Sequence, residues 1–114
     1  MMALDQDANK QSSMTPQDMA ARAAEVSGLL KTLAHPARLM LVCTLVEGEH
    51  SVSELEAKLD LHQPHLSQQL TVLREANIVI TRREGKQIFY SLTEEKAAQL
   101  VAALYAIFCK EEGQ

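Results

Sequence analysis

Two thiols, four histidines and a run of uncharged polar side chains are the groups in this 114-residue chain with chemistry to offer. The thiols are Cys43 and Cys109. A thiolate is a nucleophile, a redox centre and a soft metal ligand, whereas a buried, protonated cysteine is only a small hydrophobe. Cys43 lies in the apolar run Leu39-Met40-Leu41-Val42-Cys43, where burial raises a thiol pKa. Cys109 lies near the end of the last helical pattern, where the negative end of the helix dipole also disfavours a thiolate. Arg38, Lys110 or a histidine are the candidates to offset this. A direct disulfide needs Cα atoms within roughly 7 Å, and a bridge with extra sulfur atoms spans more. Two thiolates suit Zn or Cu(I) but need further ligands. Among His35, His50, His62 and His65, the pair His62 and His65 straddles a helix start, so no metal site is assigned and His65 is given to DNA or solvent. A thiol oxidoreductase would carry Cys-x-x-Cys in a βαβ setting. That motif, a Gly-rich phosphate loop and an acid/base pair are all missing, so the chain reads as a non-enzyme with no cofactor.

The uncharged polar run is Gln63 to Asn77, QPHLSQQLTVLREAN. Leu66, Leu70 and Leu73 recur at helical spacing and form one apolar stripe. Gln63, Pro64, His65, Ser67, Gln68, Gln69 and Thr71 are the readable positions off that stripe, with Arg74 as a flanking cation. A plain solvent face would carry Glu and Lys. Gln offers a donor and an acceptor to the edge of adenine, and Ser or Thr bonds to base or phosphate. Pro64 suits the first turn of this helix, and Asn77 suits a left-handed stop.

Other elements must hold that helix. Thr15-Pro16-Gln17-Asp18 opens a first helix to about Leu33, with Met19, Ala23, Val26, Leu30 and Leu33 on its apolar side. Pro36 opens a second, to about Glu47, apolar nearly all round and stopped by Gly48. Ser53-Glu54-Leu55-Glu56 reads as a capping box for a third, to about Leu61. A three-residue turn around His62 then joins it to the polar helix, which makes a helix-turn-helix. Ile78–Thr81 and Gln87–Ser91 read as strands about a Glu84-Gly85 turn, with Arg82, Arg83 and Lys86 at the tip. Such a hairpin is a wing whose cations meet phosphates or a minor groove. Thr93 caps a last helix, with Glu94 and Glu95 in its first turn and Lys110 in its last.

The resulting fold class is mainly α with a small β-hairpin, a winged helix-turn-helix of order α1-α2-α3-α4-β-β-α5. Residues 1–14 read as a flexible arm and residues 15–112 as the DNA-binding and dimerisation domain. One small domain does not bury both terminal helices, so the first and last helices are expected to form a homodimer that reads an inverted repeat in double-stranded operator DNA. Aromatic residues are only 4% against 46% apolar, which suits Leu/Ala/Val helices better than a β-sandwich. The net charge of −4 argues against indiscriminate coating of nucleic acid. It is unevenly spread: Gln63 to Ser91 holds four basic and two acidic residues, a net of +2 that leaves −6 elsewhere. No signal peptide or membrane-length apolar run is seen, so the protein is expected in the cytoplasm, where a permanent disulfide is disfavoured.

The order of elements resembles the ArsR/SmtB family of bacterial winged-helix repressors. The strings Leu33-Ala34-His35-Pro36-Ala37-Arg38-Leu39 and Leu66-Ser67-Gln68-Gln69-Leu70-Thr71-Val72-Leu73-Arg74 are similar to that family's signatures, and the likeness runs from about Ala20 to Phe108. Many members sense metals through a Cys-x-Cys at the third helix or through Asp/His and His/Glu pairs on the last. Here the first position reads Ser51-Val52-Ser53 and the last helix has no His. Cys43 and Cys109 instead match the two positions of the BigR/SqrR subgroup, which responds to sulfide and persulfide. The resemblance implies a redox-sensing dithiol: a small persulfide or polysulfide effector links Cys43 to Cys109 through a di- or polysulfide, and the dimer leaves its operator. Two other readings stay open. One is a metal-responsive repressor that uses the cysteines as thiolate ligands; the other is a DNA-binding protein with no effector.

Overall fold

The structure, a computed structural model, describes residues 14–93 and 96–109. The expected arm at 1–14 falls almost wholly outside the described residues, as do Glu94, Glu95 and Lys110. The chain divides into two compact units, residues 1–30 and 31–114. The described part of the first is helical and belongs to α1 (Pro16–Leu33). Thr15 starts it as expected: its Oγ1 accepts from the Asp18 amide at 3.0 Å, and the Asp18 carboxylate accepts from the Thr15 amide at 3.1 Å. Met19, Val26 and Leu30 on its apolar side are exposed, and Leu33 is the helix's buried residue.

In the second unit, α2 (Pro36–Val46) packs against the later elements. Its buried side is Ala37, Leu41, Val42 and Leu45. Leu39 and Met40 are not buried, so the helix is central on one side only. The His35 ring caps it, Nδ1 accepting from the Ala37 amide at 3.2 Å. Gly48, at φ +137°, sits just beyond the Glu47 C-cap in a conformation that glycine tolerates. β1 (His50–Ser51) follows, then α3 (Val52–Leu59).

The capping box of α3 lies two residues earlier than the sequence pattern indicates. Ser51, not Ser53, is the cap: its Oγ accepts from the Glu54 amide at 3.1 Å, and the Glu54 carboxylate accepts from the Ser51 amide at 2.8 Å. Both Ser51-x-x-Glu54 and Ser53-x-x-Glu56 satisfy the motif. The β1 pairing holds Ser51 extended (φ −79°, ψ 165°), which selects the first. Ser51→Ala should therefore cost about 1 kcal/mol in chemical denaturation at fixed protein concentration, and Ser53→Ala distinctly less.

Asp60, left-handed at φ +55°, ends α3, so the connection to the next helix is residues 60–64 rather than three residues. α4 (His65–Glu75) buries Leu66, Leu70 and Leu73, each at 1% exposure or less, and each contributes about 1.5–3 kcal/mol of burial. Asn77 (φ +62°) stops it as expected. Its amide donates to the Arg74 carbonyl, that of Ile78 donates to the Leu73 carbonyl, and buried Ile78 packs in behind.

The wing is β2 (Val79–Glu84) and β3 (Gln87–Leu92), antiparallel, closed by a two-residue turn at Gly85 and Lys86. β1 adds to β3, so the sheet has three strands in the order β1-β3-β2. The sequence reading has no β1 because two residues carry no periodicity. It also places Arg82 and Arg83 at the tip; they lie within β2, opposite Phe89 and Ile88. α5 (Lys96–Phe108) buries Val101. The Thr93 hydroxyl, expected as the cap, donates to the Asn77 carbonyl at 3.1 Å.

Candidate nucleic-acid interface and dithiol site

The outward face of α4 and its lead-in carry Gln63, Pro64, His65, Ser67, Gln68, Thr71 and Arg74, all exposed. Pro64 stands at the N-cap rather than inside the first turn and has no cap to offer. Gln63 supplies it, its amide oxygen accepting from the Ser67 amide at 3.1 Å. The Ser67 and Thr71 hydroxyls donate to carbonyls three and four residues back, at 3.2 and 2.9 Å, which leaves their oxygens free to accept. Gln68 makes no side-chain hydrogen bond among the described residues. The His35 and His65 rings lie 6.2 Å apart at the start of the helix.

Gln69 is a correction. It is 8% exposed and faces inward, and its amide oxygen accepts from Arg38 Nη1 at 2.7 Å. Arg38 Nε also donates to the Thr32 carbonyl at 2.6 Å. Gln69 therefore bolts α4 to α2 and is not part of the exposed polar face. The same contact occupies Arg38, one of the cations considered as a partner for the thiols.

On the wing, Arg82 is taken up by carboxylates. It donates to both oxygens of Glu49, at 2.8 and 2.9 Å, and to Glu84 at 3.0 Å, and lies 4.6 Å from the centre of the Phe89 ring. Hydrogen bonding to Glu49 and then Glu84 raises the guanidinium pKa further, and the Arg82 contact lowers that of Glu49. Exposed Arg83 and Lys86 make no ion pair among the described residues. His62 lies against Asp60 at 2.9 Å and Glu56 at 3.8 Å. Among the described residues no three His, Cys, Asp or Glu side chains are grouped to hold a metal ion.

The two thiols come together although 66 positions separate them in the chain. Half-buried Cys43 on α2 and exposed Cys109, just past α5, line one cavity of about 370 Å³ with Leu39, Met40, Leu104 and Phe108. Burial pushes the Cys43 thiol pKa up, and the charge and hydrogen bonding of the neighbouring Cys109 push it the same way. A second tie lies one helical turn along: Tyr105 Oη donates to the Glu47 carboxylate at 3.1 Å. Lys58 on α3 donates to the other oxygen of Glu47 at 3.3 Å. The Tyr105 bond, and then that from Lys58, lower the Glu47 pKa. Sequence reasoning passed over Tyr105 and Glu47. The available signal was their spacing, Glu47 four residues after Cys43 and Tyr105 four before Cys109, which places each on its cysteine's helix face.

Two helices joined by a short connection, the second with an exposed polar face, followed at once by a hairpin, define a winged helix-turn-helix. Residues 35–81 match the family described as "Bacterial regulatory protein, arsR family". The chain is 73% identical over 94 residues to the Biofilm growth-associated repressor of Agrobacterium fabrum, covering 82% of this chain and 80% of the relative. The crystal structure of the transcriptional repressor BigR from Xylella fastidiosa superposes with a TM-score of 0.83 at 69% identity, over 88% of this chain and 99% of that one. A structure titled reduced HlyU, from Vibrio cholerae, matches at 36% identity and TM-score 0.78, over 82% and 99%. The chain belongs to the arsR family of bacterial regulatory proteins, and its homologues are transcriptional regulators. No single helix among the described residues is long and apolar enough to cross a membrane.

Proposed function

We propose that this protein is a cytoplasmic transcriptional repressor that binds operator DNA as a homodimer and releases it when Cys43 and Cys109 are bridged by sulfur from a persulfide. The observation that carries the sensing step is the shared cavity in which both thiols sit. The repressor assignment is supported by relatives at 69–73% identity that bear that name. HlyU of Vibrio cholerae, at 36%, is named an activator, so the sign of regulation follows the more similar proteins. Exposed Leu30 on α1 and exposed Ile107 and Phe108 on α5 support self-association through the first and last helices, with residues 15–112 as the working domain. Two α4 helices would then lie about 34 Å apart, one DNA turn.

The site suggests how sensing reaches DNA. Cys43 belongs to α2, which Arg38 and Gln69 tie to the reading helix, and Cys109 ends the helix assigned to the dimer. A covalent link between them would fix the reading unit against the dimer axis and change the spacing of the two α4 helices.

The test is intact mass spectrometry of reduced protein after glutathione persulfide, followed by thiol alkylation. The expected product has both cysteines blocked and carries added sulfur. Two alkylatable thiols would discard the sensor and leave a DNA-binding protein with another effector or none. On the DNA side, Arg83→Ala and Lys86→Ala should each lower the slope of log K against log salt by about 1.8, because each removes one phosphate contact, worth about 0.9, from both protomers. Arg82→Ala should lower it by less, because two carboxylates already balance its charge.

A further inference from the structure

The wing leaves the body of the domain at one row of the sheet. β1 is two residues long, and its Ser51 pairs with Phe89 of β3, which on its other side faces Arg82 of β2. Beyond that row the hairpin goes on as two strands alone, with Arg83 opposite Ile88 and Glu84 opposite Gln87. A two-stranded ribbon is marginal by itself, so the direction of the tip is set where the third strand stops. Side chains alternate across a strand. Arg83 therefore shares the face of buried Val79, and Arg82 takes the opposite, outer face, over the Phe89 ring. All three guanidinium nitrogens of Arg82 are engaged there: Nε and Nη2 with the two oxygens of Glu49, and Nη1 with Glu84. Glu84 lies on the same strand and ties nothing together. Glu49 stands just before β1 and reaches across β3, so its bidentate pair joins the two outer strands at the row where the wing departs.

Resting on the DNA-binding reading above, we infer that Glu49 is a positioning residue for DNA recognition: by holding Arg82 across the sheet it fixes the angle of the wing, and so the place at which Arg83 and Lys86 meet phosphates. Arg82 itself acts as a brace and not as a phosphate contact. A bidentate Arg–carboxylate pair has the fixed fork geometry that a brace needs. A surface ion pair adds little to global stability, so the consequence falls on the orientation of an otherwise free hairpin. Loss of the brace leaves each phosphate contact able to form but adds the ordering of the wing to the cost of binding. Such a change lowers log K by the same amount at every salt concentration, whereas a lost phosphate contact changes the slope.

The experiment selects an operator duplex from a random-sequence pool with the full-length wild-type protein. That duplex is then titrated by fluorescence anisotropy over a range of salt concentrations with wild type, with Glu49→Ala, and with Glu49→Arg combined with Arg82→Glu. Glu49→Ala is expected to bind about fivefold more weakly per dimer, with the wild-type salt slope. This direction is diagnostic, because removing a carboxylate near DNA would on charge alone tighten binding. The charge-reversed pair keeps the net charge, restores the brace in the opposite sense and should recover most of the loss. Unchanged affinity in Glu49→Ala, or a raised affinity with a steeper slope as a freed Arg82 takes up a phosphate, overturns the inference and leaves DNA binding standing. A selection that returns no bound sequence overturns both.

Discussion

Cys43→Ser and Cys109→Ser are each expected to bind operator DNA like the wild type when reduced, and to keep it after persulfide treatment. Wild-type protein should lose at least about tenfold in affinity under the same treatment, which requires about 1.4 kcal/mol of differential stabilisation between the bridged and reduced states. Neither cysteine lies on α4, and serine is close in size at half-exposed and exposed positions, so the reduced state is little disturbed. The readout is a fluorescence anisotropy titration before and after treatment. A single mutant that still releases normally would sink the two-cysteine mechanism. The pH dependence has a definite sign. The Cys43 pKa is raised, so at neutral pH its thiolate fraction is small and grows about tenfold per pH unit. If closure by Cys43 limits the rate, bridging accelerates steadily from pH 6 through neutrality and shows no plateau there.

The second large effect separates two neighbours that look alike in sequence. Gln68→Ala should cost about 1–3 kcal/mol of discrimination at particular bases, with the fold intact, because Gln68 is exposed on the reading face. Gln69→Ala removes the acceptor held by Arg38 inside the protein. A hydrogen bond to a charged group is worth about 1.5–3 kcal/mol, so Gln69→Ala should lower unfolding stability by that order and weaken binding to all sequences alike. Denaturation and a panel of operators with single base changes distinguish the two. Equal loss of discrimination in both variants would mean that Gln69 is read by DNA after all.

Much of this protein is determined locally and was legible in the chain. Thr15 before Pro16 and Asp18, Pro36 after His35, the Leu66-Leu70-Leu73 stripe and Asn77 each act through atoms within a few residues, so helix starts, faces and stops follow from spacing alone. The β-branched run after Asn77 and the Gly85 turn likewise announce the wing. The family resemblance singled out Cys43 and Cys109.

Only the tertiary structure decided which polar residues are taken up by partners from distant parts of the chain. Gln69 faces inward because Arg38, 31 positions earlier, meets it, and Arg82 is matched by Glu49, 33 positions away. Ser51 outranks Ser53 as a cap because a two-residue strand pairs with β3, nearly 40 positions further on. The meeting of Cys43 with Cys109 in an apolar cavity, beside Tyr105 and Glu47, belongs to the same class. The physical reason is common to all four. Helical and strand periods report which way a side chain points relative to its own element, and they hold no information about the group that another element brings to meet it.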